Sequence, residues 1–277
     1  MQLNRPNADI FIADGSSVSL ALARTTHLGI GAHADDVEIL AWHGIAQCHD
    51  NDQQWFTGVV VSDGAGSPRS GPYSDFSNQQ MIAQRLQEQR NAAELGQYSA
   101  QLQLGYSSAQ LQSANQDQLM AELVAVLEQS QPEVLYLHNL ADAHTTHVCV
   151  ARICLQALRQ LPAAQRPGQV YGVEVWRSLD WLPSRFRVAL PLPADSGLQA
   201  RLLQMHDSQV AGGKHYERAV IARQTANATF SHSHAVDECS ACCLAMDYQP
   251  LLDQPGLSTD DYLQQCLLEF TTQLLGS

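Results

Sequence analysis

The stretch His27-Leu28-Gly29-Ile30-Gly31-Ala32-His33-Ala34-Asp35-Asp36 decides the fold. Its first half is a short apolar run and reads as a strand. Its second half is polar, so the strand ends there. Residues Val37 to Cys48 then place Ile39, Leu40, Trp42, Ile45 and Ala46 on one face, which predicts a helix. Outward from this unit the pattern repeats. Trp55 to Ser62 reads as a strand, Asp63 to Pro72 as a Gly/Ser/Pro loop, and Asn78 to Leu95 as a helix. Gln101 to Tyr106 is a strand and Gln116 to Gln129 a helix. Glu133 to His138 is a strand, Thr145 to Leu161 a helix, and Val170 to Trp176 a further strand. Strands alternating with helices predict an α/β fold with a mostly parallel sheet covered on both faces. After Leu179 the pattern weakens. Arg185 to Leu192 alternates like an edge strand, Leu198 to Arg223 is helical with a break at Gly212-Gly213, Cys243 to Tyr248 is a late strand, and Asp260 to Leu275 a terminal helix. Neither an internal repeat nor a long linker is visible, so the expectation is a single domain over residues 1–277, with a core of about 25–180 and a C-terminal elaboration of about 181–277.

Composition narrows the function. The 277 residues carry 15 basic and 28 acidic side chains, a formal charge of -13, and Lys214 is the only lysine. A polyanion-binding surface needs clustered cations, which speaks against nucleic acid and anionic membranes as partners. No apolar run reaches the roughly 18–20 residues that span a bilayer, and the start lacks a signal-peptide pattern, so the expected compartment is the cytoplasm. The seven cysteines fit no disulfide framework. Cys239-Ser-Ala-Cys242 has no second pair to complete a zinc site, which leaves packing as the reading.

In open α/β sheets ligands sit outside the carboxyl ends of the strands. Two polar clusters fall at such ends: His33-Ala34-Asp35-Asp36, and His138-Asn139-Leu140-Ala141-Asp142-Ala143-His144-Thr145-Thr146-His147. If their strands are neighbours, the clusters face each other with imidazoles and carboxylates, the donor types of a catalytic zinc site. His144 and His147 lie three apart at a helix start and so share a face. Of two adjacent aspartates, one can hold a metal while the other handles the proton of a water. Helix capping accounts for one aspartate but not for two clusters at two strand ends. Gly29-x-Gly31 lacks the third glycine of a dinucleotide fingerprint, which excludes an NAD enzyme.

These residues resemble a known family. Ile30-Gly-Ala-His33-Ala-Asp35-Asp36-Val-Glu38 resembles the His-Pro-Asp-Asp-Glu signature of the LmbE/PIG-L zinc-dependent N-deacetylases, with Ala34 in place of Pro and the glutamate displaced by one. His144-Thr-Thr-His147 is similar to the family's His-x-x-His. Asp63 to Ser67, Arg85 to Gly96 and Tyr171 to Arg177 resemble three further family segments. The resemblance implies a Rossmann-like αβα sandwich that removes acetyl groups from N-acetylated amino sugars. It implies Zn²⁺ on His33, Asp36 and His147, with other divalent metals as substitutes. It makes Asp35 the general base and a protonated His144 the oxyanion donor. The sequence adds candidates for substrate contact: Arg69 and Asp63 after the second strand, His43 on the first helix, Arg177 after the last core strand, and His234 near His232 in the C-terminal part. Turn chemistry for Asp63, a core place for His43 and a surface loop for the C-terminal histidines are the competing readings. His138 and Asn139 read as partners that orient the ligands, and the family allows a homo-oligomer. Two rival functions stand beside deacetylation: a zinc amidase acting on a larger sugar or thiol-conjugate amide, and a silent sugar- or metal-binding protein, against which Asp35 argues.

Overall fold

Strands that read as unbroken apolar runs are those covered on both faces, and the computed structural model contains three that are buried at every residue: β2 (His27–Gly31), β3 (Phe56–Ser62) and β4 (Ala100–Tyr106). Its described residues are all except 114–115, 194–196, 212, 214, 231–233, 235 and 277. They also include β1 (Asp9–Phe11), β5 (Val134–His138), β6 (Gln169–Val173), β7 (Arg187–Pro191) and β8 (Cys242–Asp247). All eight form one sheet in the order β1-β4-β3-β2-β5-β6-β8-β7.

The sheet is mixed rather than mostly parallel. β4, β3, β2, β5 and β6 run parallel, whereas β1 pairs antiparallel with β4, and β8 pairs antiparallel with both β6 and β7. The parallel strands are those joined by helical crossovers, which return the chain to the same end of the sheet. The C-terminal residues extend this sheet, with β7 at its edge and β8 filling the slot beside β6.

Helices cover both faces. Val18–Ala23, Asp117–Ser130, Thr145–Gln160 and Thr259–Leu275 pack one apolar cluster against the sheet. Asp36–Leu40, Trp42–Cys48, Asn78–Leu95 and Leu198–Gln204 pack the other. The helix expected over 37–48 is two, broken at Ala41, whose ψ of 14° departs from helical geometry. The helical region expected over 198–223 is three pieces, Leu198–Gln204, Asp207–Val210 and Tyr216–Phe230. Lys214 and His232 lie outside the described residues. No helix among the described residues is long and apolar enough to cross a membrane. All seven cysteines are free, and burial pushes the Cys242 thiol up to about 12.

From β2 the chain steps to β3 and β4 on one side, then crosses to β5 and β6 on the other. β2 and β5 are therefore neighbours, paired from His27 with Val134 onward, and the order reverses between them. Such a reversal opens a crevice at the carboxyl ends of the strands. Both polar clusters follow these two strands.

Candidate metal and active site

Local chemistry fixes each loop. After β2, Asp35 takes a left-handed backbone with φ 90°. Aspartate tolerates that region better than most residues but still at a cost. The turn brings Asp36 back, so that its Oδ2 accepts the His33 backbone N–H at 2.7 Å. A Cβ on Gly31 would lie 2.9 Å from the Asp36 Cβ and 3.1 Å from Val37 Cγ2, so this fold-back requires glycine. The loop after β5 is tied by its own side chains. Asn139 accepts from the Ala141 N–H at 3.0 Å and Asp142 from the His144 N–H at 2.8 Å. His144 Nδ1 accepts from the Thr146 N–H at 3.2 Å and so caps the helix Thr145–Gln160. His147 is thereby set in the first turn.

The two loops converge on one point. His33 Nδ1 is 3.1 Å from Asp36 Oδ2 and 3.2 Å from His147 Nε2, and His147 Nε2 is 3.2 Å from Asp36 Oδ2. Donor atoms sharing a tetrahedral ion at ~2.0–2.2 Å lie roughly 3.3–3.5 Å apart, so this triangle, slightly tighter, needs only a small expansion to take up a shared cation. Two looser groupings overlap it, His33 with His144 and His147, and Asp36 with His138 and His147. The tight triangle is the better ligand set, because His138 Nε2 already accepts the Ala32 N–H at 2.8 Å and His144 serves as a cap. Four nitrogens crowd a single oxygen of Asp36, and only protons or a metal cation make that favourable. The field agrees. Burial raises the Asp36 pKa, but His147 and His138 outweigh it and hold the carboxyl well below its usual range. Burial lowers the His147 pKa, but Asp36 and Asp142 outweigh it and lift the imidazole to about 9. A site that pulls a proton onto a buried imidazole has the charge and donor set for a divalent ion.

A second layer supports the first. Asp142 lies 3.4 Å from His147 Nδ1, the carboxylate–histidine arrangement that orients metal-binding imidazoles. Buried Arg85 lies 3.2 Å from Asp35 Oδ1 and also donates to the Ala34 carbonyl. A Cβ on Gly64, whose φ is 75°, would lie 3.0 Å from Arg85 Cγ, so glycine leaves that side chain its room. Burial raises the Asp35 carboxyl, and Arg85 opposes that. Gln89 accepts from the Asp35 N–H at 3.3 Å and donates to Glu38 at 2.8 Å. Glu38 also accepts from Tyr98 at 2.9 Å and faces His206 at 3.1 Å. Burial, His147 and His33 all lower the His144 pKa. Its Nδ1 accepts a backbone N–H, so the neutral ring carries its proton on Nε2. The pull is away from the imidazolium expected of an oxyanion donor, and a neutral ring would donate from Nε2 instead.

The structure brings together His33, Asp35, Asp36, His144 and His147, but not the other candidates. Arg69 turns onto its own loop, donating to the Ala65 carbonyl at 2.7 Å, to the Ser67 carbonyl, and to Asn78 at 2.7 Å. Asp63 accepts the Ala65 N–H at 3.0 Å, as turn aspartates do. His43 bonds the Tyr136 hydroxyl at 2.7 Å. Arg177 and His234 are exposed. None of these five lines the cavity of about 730 Å³ over the cluster. Arg85, Trp176, Tyr216 and Arg223, which sequence reasoning did not single out as contacts, do line it. Arg85 and Trp176 lie in segments that the resemblance had marked, whereas nothing short-range marked Tyr216 and Arg223, whose helix meets the site only through tertiary packing.

The model of the family described as PIG-L, GlcNAc-PI de-N-acetylase, matches residues 28–158. No curated protein matches the chain. Among solved structures the fold is similar to the N,N'-diacetylchitobiose deacetylase from Pyrococcus horikoshii, at 15% identity over 79% of this chain and 83% of that one, with a TM-score of 0.60. It is also similar to GalB, the 4-carboxy-2-hydroxymuconate hydratase from Pseudomonas putida KT2440, at 19% identity over 80% and 95%, with a TM-score of 0.63. A third is the A40926 pseudoaglycone deacetylase Dbv21, at 15% identity over 81% and 97%, with a TM-score of 0.57. Deacetylases and a hydratase thus share this fold, so the architecture does not select the reaction.

Proposed function

Residues 28–158 belong to the PIG-L family, and from that premise we propose that the chain is a metal-dependent amide hydrolase that releases acetate from an N-acetylated amino sugar. The observation that carries this reading is the triangle of His33 Nδ1, Asp36 Oδ2 and His147 Nε2, with mutual distances of 3.1–3.2 Å, beside the largely buried Asp35. Zinc is the ion we assign to those three ligands, since an N,N,O set suits it. Bound there, it supplies Lewis acidity for an amide carbonyl and an adjacent water.

The remaining work falls to the chain. Asp35 takes the proton as water adds to the carbonyl carbon, and returns it to the nitrogen as the C–N bond breaks. Burial raises its basicity, and Arg85 with the Gln89 contact holds it in place. His144 donates from Nε2 to the carbonyl oxygen as negative charge grows there, an interaction stronger in the transition state than in the ground state. Asp142 keeps His147 in the tautomer that presents Nε2. The chemistry needs no contact from Arg69, Asp63, His43, Arg177 or His234, and we leave them out of the site.

Acetate release from N-acetylglucosamine and its derivatives tests this directly. The expected result is chelator-sensitive release restored by added Zn²⁺. Release that persists undiminished in strong chelator, in protein shown to be metal-free, would remove the metal from the mechanism. Stoichiometric metal without acetate from any such amide would return the chain to a binding role.

A further inference from the structure

We propose that Ser208, in the C-terminal part, is a positioning residue for Asp35, which it holds in place through Glu88 and Arg85. The proposal rests on the deacetylase reading above, in which Asp35 is the base.

Asp35 is the strained point of the site. An aspartate at φ 90° persists only where its surroundings over-determine it. One helix does so. Arg85, Glu88 and Gln89 stand three and four residues apart on the helix Asn78–Leu95, so they share its buried face. Gln89 accepts the Asp35 N–H at 3.3 Å. Arg85 donates to the Ala34 carbonyl, and its Nη2 lies 3.2 Å from Asp35 Oδ1. Both polar groups of the Ala34–Asp35 peptide, and the Asp35 carboxylate, are thus held from a single face.

The guanidinium is contested. Its Nη1 lies 3.2 Å from Glu88 Oε2, so two carboxylates share one cation. Arg85 and Glu88 are buried, where little water weakens the pull. A carboxylate short of donors draws a guanidinium onto itself, and Ser208 meets that demand. Its N–H donates to Glu88 Oε1 at 2.7 Å, and its hydroxyl donates to Oε2 at 2.7 Å. Gln84 adds a third bond, to Oε1 at 2.9 Å. The same hydroxyl lies 3.5 Å from Arg85 Nη1. Ser208 therefore satisfies the one oxygen of Glu88 that Arg85 touches, and the other end of the guanidinium stays with Asp35. Without the hydroxyl, Arg85 is the donor that remains beside Oε2 among the described residues, and the fork closes on Glu88.

Ser208 is itself fixed by its neighbours. Tyr73 donates to Asp207 at 2.5 Å, and His206 faces Glu38 at 3.1 Å. Glu38 accepts from Gln89, the residue that holds the Asp35 N–H. The segment His206–Ser208 thus reaches one turn by two routes. A tie whose sole task was to hold the chain would be made at less cost by apolar packing, since buried ion pairs seldom repay their desolvation.

The test measures kcat and KM for acetate release from N-acetylglucosamine and N,N'-diacetylchitobiose, using the full zinc-loaded chain. Ser208→Ala should lower kcat by about tenfold or more, with KM and zinc content unchanged. Ser208→Thr keeps the hydroxyl and should recover most of kcat. In a Glu88→Gln background the loss of the hydroxyl should cost far less, because a neutral amide does not compete for Arg85, so the two changes are not additive. Ser208→Cys keeps the volume but donates weakly, and it repeats the test should Ser208→Ala not fold. A lowered Tm with kcat unchanged, or the same loss of kcat in both backgrounds, overturns the proposal. A crystal structure of Ser208→Ala reads the claim without turnover: Arg85 closed on Glu88 and parted from Asp35 supports it, and an unmoved Arg85 overturns it. Should the unmutated chain release no acetate from either sugar, the deacetylase reading fails, and that structure alone still decides whether Ser208 sets the place of Asp35.

Discussion

Residues 28–158 and the C-terminal part divide the site between them. The first segment supplies every atom of the tight triangle and the residues proposed as base and oxyanion donor, all on two loops at the reversal point of the parallel strands. The second supplies no ligand. It closes the cavity with Tyr216, Ala219 and Val220, and it reaches underneath with His206 to face Glu38. The difference teaches that the polar cluster is written in short loops tied to the sheet, whereas part of the cavity around it comes from elements that follow later in the chain and pack from outside.

The largest effect should come from inside the first segment. Asp35→Asn keeps the shape and a hydrogen-bonding group but accepts no proton, so kcat should fall by ~10²–10⁴ while bound metal, measured by elemental analysis, stays stoichiometric. Loss of metal in this variant would swap the roles of Asp35 and Asp36 and break the division as drawn. Next comes one of the contacts that join the two parts. His206→Leu leaves the Glu38 carboxylate buried without its histidine, which should cost about 3 kcal/mol in denaturant unfolding. The sign with pH follows. Burial pushes Glu38 up, but His206, Tyr98 and Gln89 outweigh it and bring the carboxyl below its ordinary value. The stabilisation is therefore present above the unfolded pKa of ~4.3, and it is lost as pH falls through the lower folded value. Wild type and variant should converge only as pH falls through that lower folded value, and a gap that stays constant at every lower pH would show that packing alone accounts for the difference.

Smaller effects sharpen the first segment. His144→Ala should slow turnover by ~10²–10³ with metal retained, and equal loss of metal would make His144 a ligand, as the looser His33–His144–His147 grouping allows. Asp142→Asn should weaken metal affinity by ~10–100-fold, read by competition with a chromophoric chelator. An unchanged affinity would leave Asp142 as a loop brace only.

The same split explains what was legible in the sequence. β2, β5 and the helix Thr145–Gln160 announce themselves by local periodicity, and the polar residues at their ends follow directly. His33, Asp35, Asp36, His144 and His147 were legible because metal chemistry needs those residue types close to strand ends. Arg85 and Asp142 lie in segments the sequence pointed to, yet their roles depend on which atom they face across the crevice. Trp176 and Tyr216 meet across 40 residues of chain, a contact between the end of β6 and a separate helix that no local period encodes. β1 has three residues, too few for a period. Arg69 misled for a physical reason: a guanidinium in a Gly/Pro loop finds its own carbonyls nearer than any ligand.

Gly31 carries a lesson for anyone reading mutational data on this protein. It offers no functional group, yet a methyl there would press on the Asp36 Cβ and lever a proposed metal ligand away from its partners. In a saturation screen scored by activity, position 31 will rank with the aspartates and histidines, and a tally of sensitive positions will count it as chemistry. Only a metal assay run alongside will reveal that the damage there is mechanical, transmitted through one carbon atom.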